Sequence, residues 1–408
     1  METDAQNNMV DDAAERAPRD GGTPAAGRQA TVLQVLPALG QGGGVERGTV
    51  EIAAAIVAAG GRAIVASAGG HLERELKRAG AEHIALPLDS KNPLTMRDNA
   101  RKLADLIAAE KVDLVHARSR APAWSALDAA KRTDRPFVTT FHGTYGTENW
   151  LKRHYNAVMV KGEKVIAISH FIAGHMRRVY GVPVRRIRVI HRGVDLNRFD
   201  PARISAERVI QLSTRWRLLD GAPVIMLPGR LTRWKGQTVF IDAIAKLGRD
   251  DLRCILVGSD QGRTGYRREL EKQVQRLGLG KVVQLVDHCD DMPAAYKLTD
   301  VVVSASTEPE AFGRVVAEGQ ALGRPVIATD HGGARETVIP GETGWLVEPG
   351  NADSLAEALA RCLALSAAAR QEMAERAVAN VRENFSTEVM AAKTLDVYDE
   401  VPAPTARS

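Results

Sequence analysis

The sequence predicts an α/β protein of two doubly wound domains facing each other across a cleft, and three observations carry that prediction. At 408 residues the chain is too long for one comfortable hydrophobic core. Short apolar runs alternate with stretches of helical periodicity, the pattern of parallel strands covered on both faces by helices. The alternation pauses at "RGVDLNRFDP" and then restarts, which sets a domain boundary near residue 195.

Residues 1–30 are polar and without periodicity, and read as a disordered tail. The N-terminal domain, 31–195, opens with the strand "TVLQVLP", a loop "LGQGGG" and a helical pattern from Val45 that stops at the pair Gly60-Gly61. It continues through "RAIVAS", "AEHIALPL", a helix near 97–110, "VDLVHA", a helix near 121–132, "PFVTTFH", a helix near 151–160, "KVIAIS" and a helix near 170–180. The C-terminal domain, 196–385, has a helix near 205–217, "PVIMLPG", a helix near 236–247, "LRCILVG", a helix near 265–277, "VVQLVD", "DVVVSAS", a helix from about Gly313, and "PVIATD". From Asn351 the tract reads as helical throughout, and residues 386–408 are expected to form a helix and tail packing back toward the N-terminal domain.

Composition narrows the function. With 44% hydrophobic and 26% charged residues the chain is globular rather than disordered. No run of about 18 apolar residues and no signal-peptide succession occurs, so a cytoplasmic protein is expected. Cys254, Cys289 and Cys362 lack the close spacing of metal or redox motifs and read as buried thiols. The tail sets six acids against three arginines, so the chain's net +5 leaves about +8 on the rest. From Leu151 to Arg192 ten basic residues face one acid, Glu163. That stretch is either a solvated face or a surface for anionic lipid, where each basic residue contributes about 1 kcal/mol. No nucleic-acid module accompanies it, so a nucleic-acid partner is not expected.

The chemistry concentrates at strand ends. Glu310 stands in the loop after "DVVVSAS", and Glu318 lies inside the helix that follows. Their eight-residue separation at roughly 100° per residue leaves them only about 80° apart around a helix, close enough to border one ligand. The helix start offers free N–H groups and partial positive charge, Gly313 lets a ligand approach the backbone, and Phe312 offers a flat apolar surface. In "LPGRLTRWKGQ", Arg230 supplies a planar fork for phosphate oxygens and Lys235 a mobile point charge, a pair suited to a diphosphate. In the first domain, Gly42, Gly43 and Gly44 let backbone amides approach an anion. The dinucleotide fingerprint fails there, because Val45 stands where Gly or Ala is needed, and no P-loop pattern occurs. His142 ends the strand "FVTTFH" on the cleft side and is a functional candidate, whereas His116 at a similar strand end has no further support.

In order and spacing, "GGVER" (43–47), "TFHG" (140–143), "RGVDLNRF" (192–199), "GRLTRWKG" (229–236), "EAFGRVVAE" (310–318) and "GGARETVIPGETGWLVEPGN" (332–351) resemble the family 4 glycosyltransferases, retaining enzymes of the GT-B class, of the bacterial cell-envelope or lipopolysaccharide type. The resemblance spans about residues 31–400 and implies a nucleotide-diphosphate hexose as donor, with UDP, GDP and ADP all used in the family. It implies that Arg230 and Lys235 hold the diphosphate, Glu310 meets the donor sugar, the backbone from Phe312 through Gly313 and Val315 to Val316 supports sugar or phosphate, and Glu318 binds ribose. His142 would line the reacting face, Gly43 and Gly44 would meet phosphate, and backbone near Gly258 and His288 would read the base. It implies no metal and no other cofactor. The acceptor would be a glycan or lipid-linked sugar, with an anionic membrane surface as a further partner and a peripheral place on the inner face of the cytoplasmic membrane. One departure stands out: the hinge-side motif often begins with Asn in that family, and here the residue is Arg192. A sugar-nucleotide epimerase of the same architecture and a catalytically silent binding subunit are the competing readings.

Overall fold

The computed structural model describes residues 30–40, 44–146, 149–218 and 221–402. Most of the expected tail and the loop residues Gly42 and Gly43 therefore lie outside the described residues.

Among the described residues thirteen strands form two sheets. The first comprises β1 (Thr31–Val35), β2 (Arg62–Ser67), β3 (Glu82–Ala85), β4 (Leu114–Ala117), β5 (Phe137–Phe141), β6 (Lys164–Ala167) and β7 (Ile187–Val189) in the order β3-β2-β1-β4-β5-β6-β7. The second comprises β8 (Val224–Pro228), β9 (Arg253–Val257), β10 (Val283–Val286), β11 (Val301–Ser304), β12 (Val326–Thr329) and β13 (Gly344–Val347) in the order β10-β9-β8-β11-β12-β13. Every neighbouring pair is parallel. Burial on both faces explains the near-continuous apolar runs of the central strands, which are buried along their length. The fold is thus two Rossmann-like doubly wound units, the GT-B architecture.

In such sheets ligands bind outside the carboxyl ends of the strands, where the strand order reverses. Those reversals fall between β1 and β4 in the first sheet and between β8 and β11 in the second.

Some elements differ from expectation. The edge strands β7 and β13, and the short helices Glu73–Arg78 and Met292–Leu298, were not foreseen. The C-terminal tract is helical as expected, in three pieces, Ala352–Leu363, Ala367–Asn384 and Thr387–Asp399, because Ser366 and Ser386 each accept a backbone N–H and start a new helix. The last of these lies on the first sheet: Met390, Val397 and Tyr398 share a buried cluster with Val32 and Val138. Its Tyr398 hydroxyl is 2.7 Å from His116 Nδ1, while Thr140 Oγ1 is 2.7 Å from His116 Nε2. His116 is therefore a fully hydrogen-bonded core residue.

The chain crosses between the sheets twice, and the crossings pair. Val194 N–H donates to the Phe385 carbonyl (2.7 Å), and Thr387 N–H donates to the Val194 carbonyl (3.0 Å).

Candidate functional site

At the reversal of the second sheet, the loop after β8 and the loop after β11 bring Lys235 and Glu310 together. Lys235 Nζ lies 2.8 Å from Glu310 Oε1, with the side chains only 12% and 15% exposed. The same oxygen accepts from the Ser306 hydroxyl at 2.5 Å and the Ser304 hydroxyl at 3.2 Å. Burial pushes the Glu310 carboxyl up, but the Lys235 charge and the three hydrogen bonds outweigh it and hold the group below the ordinary carboxylate range. Arg230 follows β8, is exposed, and has no carboxylate partner among the described residues.

The position of Glu310 is fixed from behind by two glycines. A Cβ on Gly332 would meet the Glu310 carbonyl at 2.4 Å, and one on Gly333 would meet Phe312 Cα at 2.4 Å. Gly333 N–H also donates to the Glu310 carbonyl at 2.8 Å. The two loops can cross this closely only without side chains.

Glu318 sits inside the helix Arg314–Ala321. Its Oε1 accepts from Arg314 Nη2 and its Oε2 from the Tyr296 hydroxyl, each at 3.0 Å. Sequence reasoning missed Tyr296, which is fully buried and arrives from the separate helix Met292–Leu298. Its partner Arg314 at i−4 was legible as a helical pair but was not singled out.

Gly313 caps that helix in a left-handed conformation (φ 86°). Among the described residues the amides of Gly313, Arg314 and Val315 have no acceptor, so the helix mouth keeps free donors. Val316 is different: its amide already donates to the Gly313 carbonyl at 3.0 Å, so it is not available to a ligand. Phe312 is also corrected. It is 3% exposed and packs against Phe385 and His191, so it supports the loop from inside instead of presenting a face to a ligand. The Gly258 amide is committed to the Val286 carbonyl as an extension of the β9–β10 pairing. His288 stands exposed in the loop after β10, 3.2 Å from Asp290.

Across the cleft, His142 follows β5 and Arg192 lies in the segment after β7. Arg192 Nη2 is 2.9 Å from His142 Nδ1. An arginine only donates, so Nδ1 is the acceptor. Burial first, then the charges of Arg192 and Arg118, push the imidazole well below its ordinary range. The ring is therefore neutral, with its proton on Nε2, a buried atom without a hydrogen-bond partner among the described residues. His142 is built to donate a hydrogen bond, not to accept a proton. Gly44 begins the helix Gly44–Ala58 beside Arg314 and Arg192.

The two halves are latched near the site. Ser169 Oγ donates to the Ala311 carbonyl at 2.6 Å, in the Glu310 loop. Glu336 accepts the backbone N–H groups of His170 (2.7 Å) and Phe171 (2.8 Å) at the start of helix His170–Tyr180, and His191 Nε2 lies 2.8 Å from it. His170, His191 and Glu336 also form a group with metal-type ligand atoms within 4.8 Å of one another. Both Glu336 oxygens already accept N–H groups from the helix start, which gives the cluster a structural role.

Comparison with known proteins bears on both halves. The family model described as Glycosyltransferase Family 4 matches residues 42–198, and that described as Glycosyl transferases group 1 matches residues 212–383. A D-inositol 3-phosphate glycosyltransferase of Xylanimonas cellulosilytica is 31% identical over 310 residues, covering 70% of this chain and 71% of that protein. A glycosyltransferase crystal structure from Rickettsia africae superposes with a TM-score of 0.84 at 40% identity, over 91% of this chain and 98% of that one. The Anabaena protein HepE, solved in complex with UDP and glucose, superposes with a TM-score of 0.79 at 25% identity, over 91% of this chain and all (100%) of that one.

Proposed function

Because this chain belongs to the family 4, group 1 glycosyltransferases, we propose that it moves a hexosyl group from a nucleotide-diphosphate sugar to a hydroxyl of a glycan or lipid-linked acceptor, with retention of anomeric configuration, in the synthesis of lipopolysaccharide or another cell-envelope glycan. The observation that carries the reading is the Lys235–Glu310 pair at the reversal of the second sheet, beside a helix mouth with free amides and ahead of Glu318.

In this reaction the acceptor oxygen bonds to the anomeric carbon on the face from which the diphosphate departs. The bond from that carbon to the diphosphate oxygen breaks, and the acceptor's hydroxyl proton passes to a departing phosphate oxygen. Lys235, Arg230 and the amides of Gly313 to Val315 stabilise the growing negative charge, which takes the place of a metal ion. Glu310, held ionised, accepts hydrogen bonds from sugar hydroxyls, and His142 Nε2–H donates to the sugar from the other side of the cleft. Glu318 accepts from the ribose diol. No cofactor beyond the donor is assigned.

The test is thermal denaturation with UDP, GDP, ADP and their hexose conjugates. The UDP series is expected to raise Tm most, in keeping with the UDP-bound Anabaena relative. No shift with any nucleotide would overturn the donor reading.

A peripheral place on the membrane's inner face is supported by a different observation. Trp150 is 74%, Leu151 60% and Val184 62% exposed, beside the exposed Lys152, Arg153 and Arg185. Arg153 donates to the Val179 carbonyl, which brings the two segments side by side. The basic surface is smaller than the sequence count, because Lys164 and Arg188 pair with Glu400, Arg186 binds backbone carbonyls and Arg192 is buried. Apolar side chains among basic ones suit an anionic bilayer. None of the described helices is long and apolar enough to cross one. The protein is expected to co-sediment with phosphatidylglycerol vesicles at low salt, and Trp150→Ser with Leu151→Ser to reduce that binding several-fold; equal binding by wild type and variant would remove this surface from consideration.

A further inference from the structure

The reversal of the first sheet holds a second concentration of charge that the donor reading leaves unused. Arg118 directly follows β4, its backbone N–H donating to the Val35 carbonyl of β1 at 3.0 Å, so it stands at the switch point itself. Its side chain is 3% exposed and that of Arg192 beside it 7%. Both reach the same bare stretch of the helix Gly44–Ala58. A Cβ on Gly48 would lie 2.6 Å from Arg192 Nη1 and 3.1 Å from Arg118 Nη2, and one on Gly44 would lie 3.4 Å from Arg314 Nη1 and 3.7 Å from Arg192 Nη2. Three guanidinium groups thus converge on the helix face that Gly44 and Gly48 share.

Among the described residues their counter-charges are too few. Arg314 is paired with Glu318, but among the described residues neither Arg118 nor Arg192 has an ion pair with a carboxylate. Arg118 Nη1 finds only the Gln34 amide oxygen (3.1 Å), and its buried Nε has no partner. Glu51, one turn along the same helix, is the one acid whose charge both arginines feel, and its own carboxyl is pushed up by burial. Burial, then Arg118 and Arg314, brings Arg192 down to about 9. A buried cation without a partner is costly, and a fold keeps two of them side by side where a ligand supplies the missing anion.

We propose that Arg118 and Arg192 bind an anionic substituent, a phosphate ester or a carboxylate, on the acceptor sugar. This rests on the glycosyltransferase reading above and names the acceptor class for it. The donor's diphosphate has its own cations, Arg230 and Lys235, at the reversal of the other sheet, whereas the arginine pair belongs to the opposite wall of the cleft and touches His142, the residue facing the transferred sugar. Guanidinium forks matched to a flat, bidentate anion suit both phosphate and carboxylate. Gly48 lets both guanidinium groups lie against the helix backbone, where a side chain would displace them.

Calorimetric titration of the full chain with saturating UDP, using glucose 6-phosphate, glucuronate and glucose as probes, tests the proposal. At least one anionic sugar is expected to bind ten times or more tighter than glucose, the phosphate and carboxylate arms saying which group is preferred. That preference is expected to vanish in both Arg192→Asn and Arg118→Gln, with native circular dichroism, and Arg192→Asn is expected to raise the Tm of the ligand-free protein, which a purely structural arginine would lower. Equal binding of all three sugars by the wild type overturns the proposal, as does a preference that survives both substitutions. Loss of UDP binding itself in Arg192→Asn would reassign the arginines to the donor diphosphate and also overturn it. If the wild type binds no nucleotide, the donor reading fails by itself, and the same titration without UDP still reads the arginine site.

Discussion

Lys235→Ala is expected to lower turnover about a hundredfold, equivalent to roughly 3 kcal/mol of lost charge stabilisation, while leaving a folded protein. The ammonium lies 2.8 Å from Glu310 in a largely buried pair, so in the ligand-free protein each charge offsets the other. When the donor arrives, the lysine can turn toward the diphosphate while the two serine hydroxyls continue to hold the carboxylate. Glu310→Gln keeps the shape and removes the charge, and is expected to be similarly damaging. Groups that act as a unit lose function non-additively, so the double variant should be little worse than either single one. Wild-type turnover in Lys235→Ala, or losses that simply multiply, would separate the two residues. A pH signature accompanies them. Because the Glu310 carboxyl is held below its ordinary range, its contribution to stability is present above the unfolded carboxylate value and is lost as pH falls through the folded one. The Tm of the wild type should therefore fall more steeply on acidification than that of Glu310→Gln.

Glu318→Ala should act on binding instead. A ribose diol held by an ionised carboxylate contributes about 1.5–3 kcal/mol, so the Kd for the preferred nucleoside diphosphate is expected to rise between about ten- and a hundredfold. The substitution also strips Tyr296 of its acceptor and Arg314 of its partner, and a fall in Tm is expected with it. Tyr296→Phe separates the two effects, since it disturbs the support but keeps the carboxylate; its Kd should change less than tenfold. An unchanged Kd in Glu318→Ala would place the ribose elsewhere.

How much of this was legible in the sequence depends on what each residue answers to. The central strands β1, β4, β5, β8, β11 and β12 read clearly because burial on both faces makes them mostly apolar, while β7 and β13, at the sheet edges, are only half-buried in part and stand beside glycine- and charge-rich segments that hide the strand pattern. Glu310, Lys235 and Glu318 were legible because backbone requirements surround them: a left-handed Gly313, and the pair Gly332-Gly333 against which the loop lies. Phe312 misled because an aromatic beside a glycine reads equally as a platform or as a plug, and only burial decides. Tyr296, Arg118 and Arg192 were opaque for another reason. Their meaning lies in neighbours from distant elements, and local patterning carries no trace of a buried cation that lacks a counter-charge.

The helix Thr387–Asp399 on the first sheet bears on how the molecule is made. Residues of the first sheet leave the ribosome early, yet the tyrosine that satisfies His116 is at position 398. At roughly 5–20 residues per second, the two hundred or so residues between β7 and that helix take on the order of 10–40 s to synthesise. During that interval the first sheet waits with an apolar face uncovered and a core histidine short of one hydrogen bond. The sheet translated first is finished last, so nascent chains halted before residue 387 should hold a first sheet dependent on chaperones.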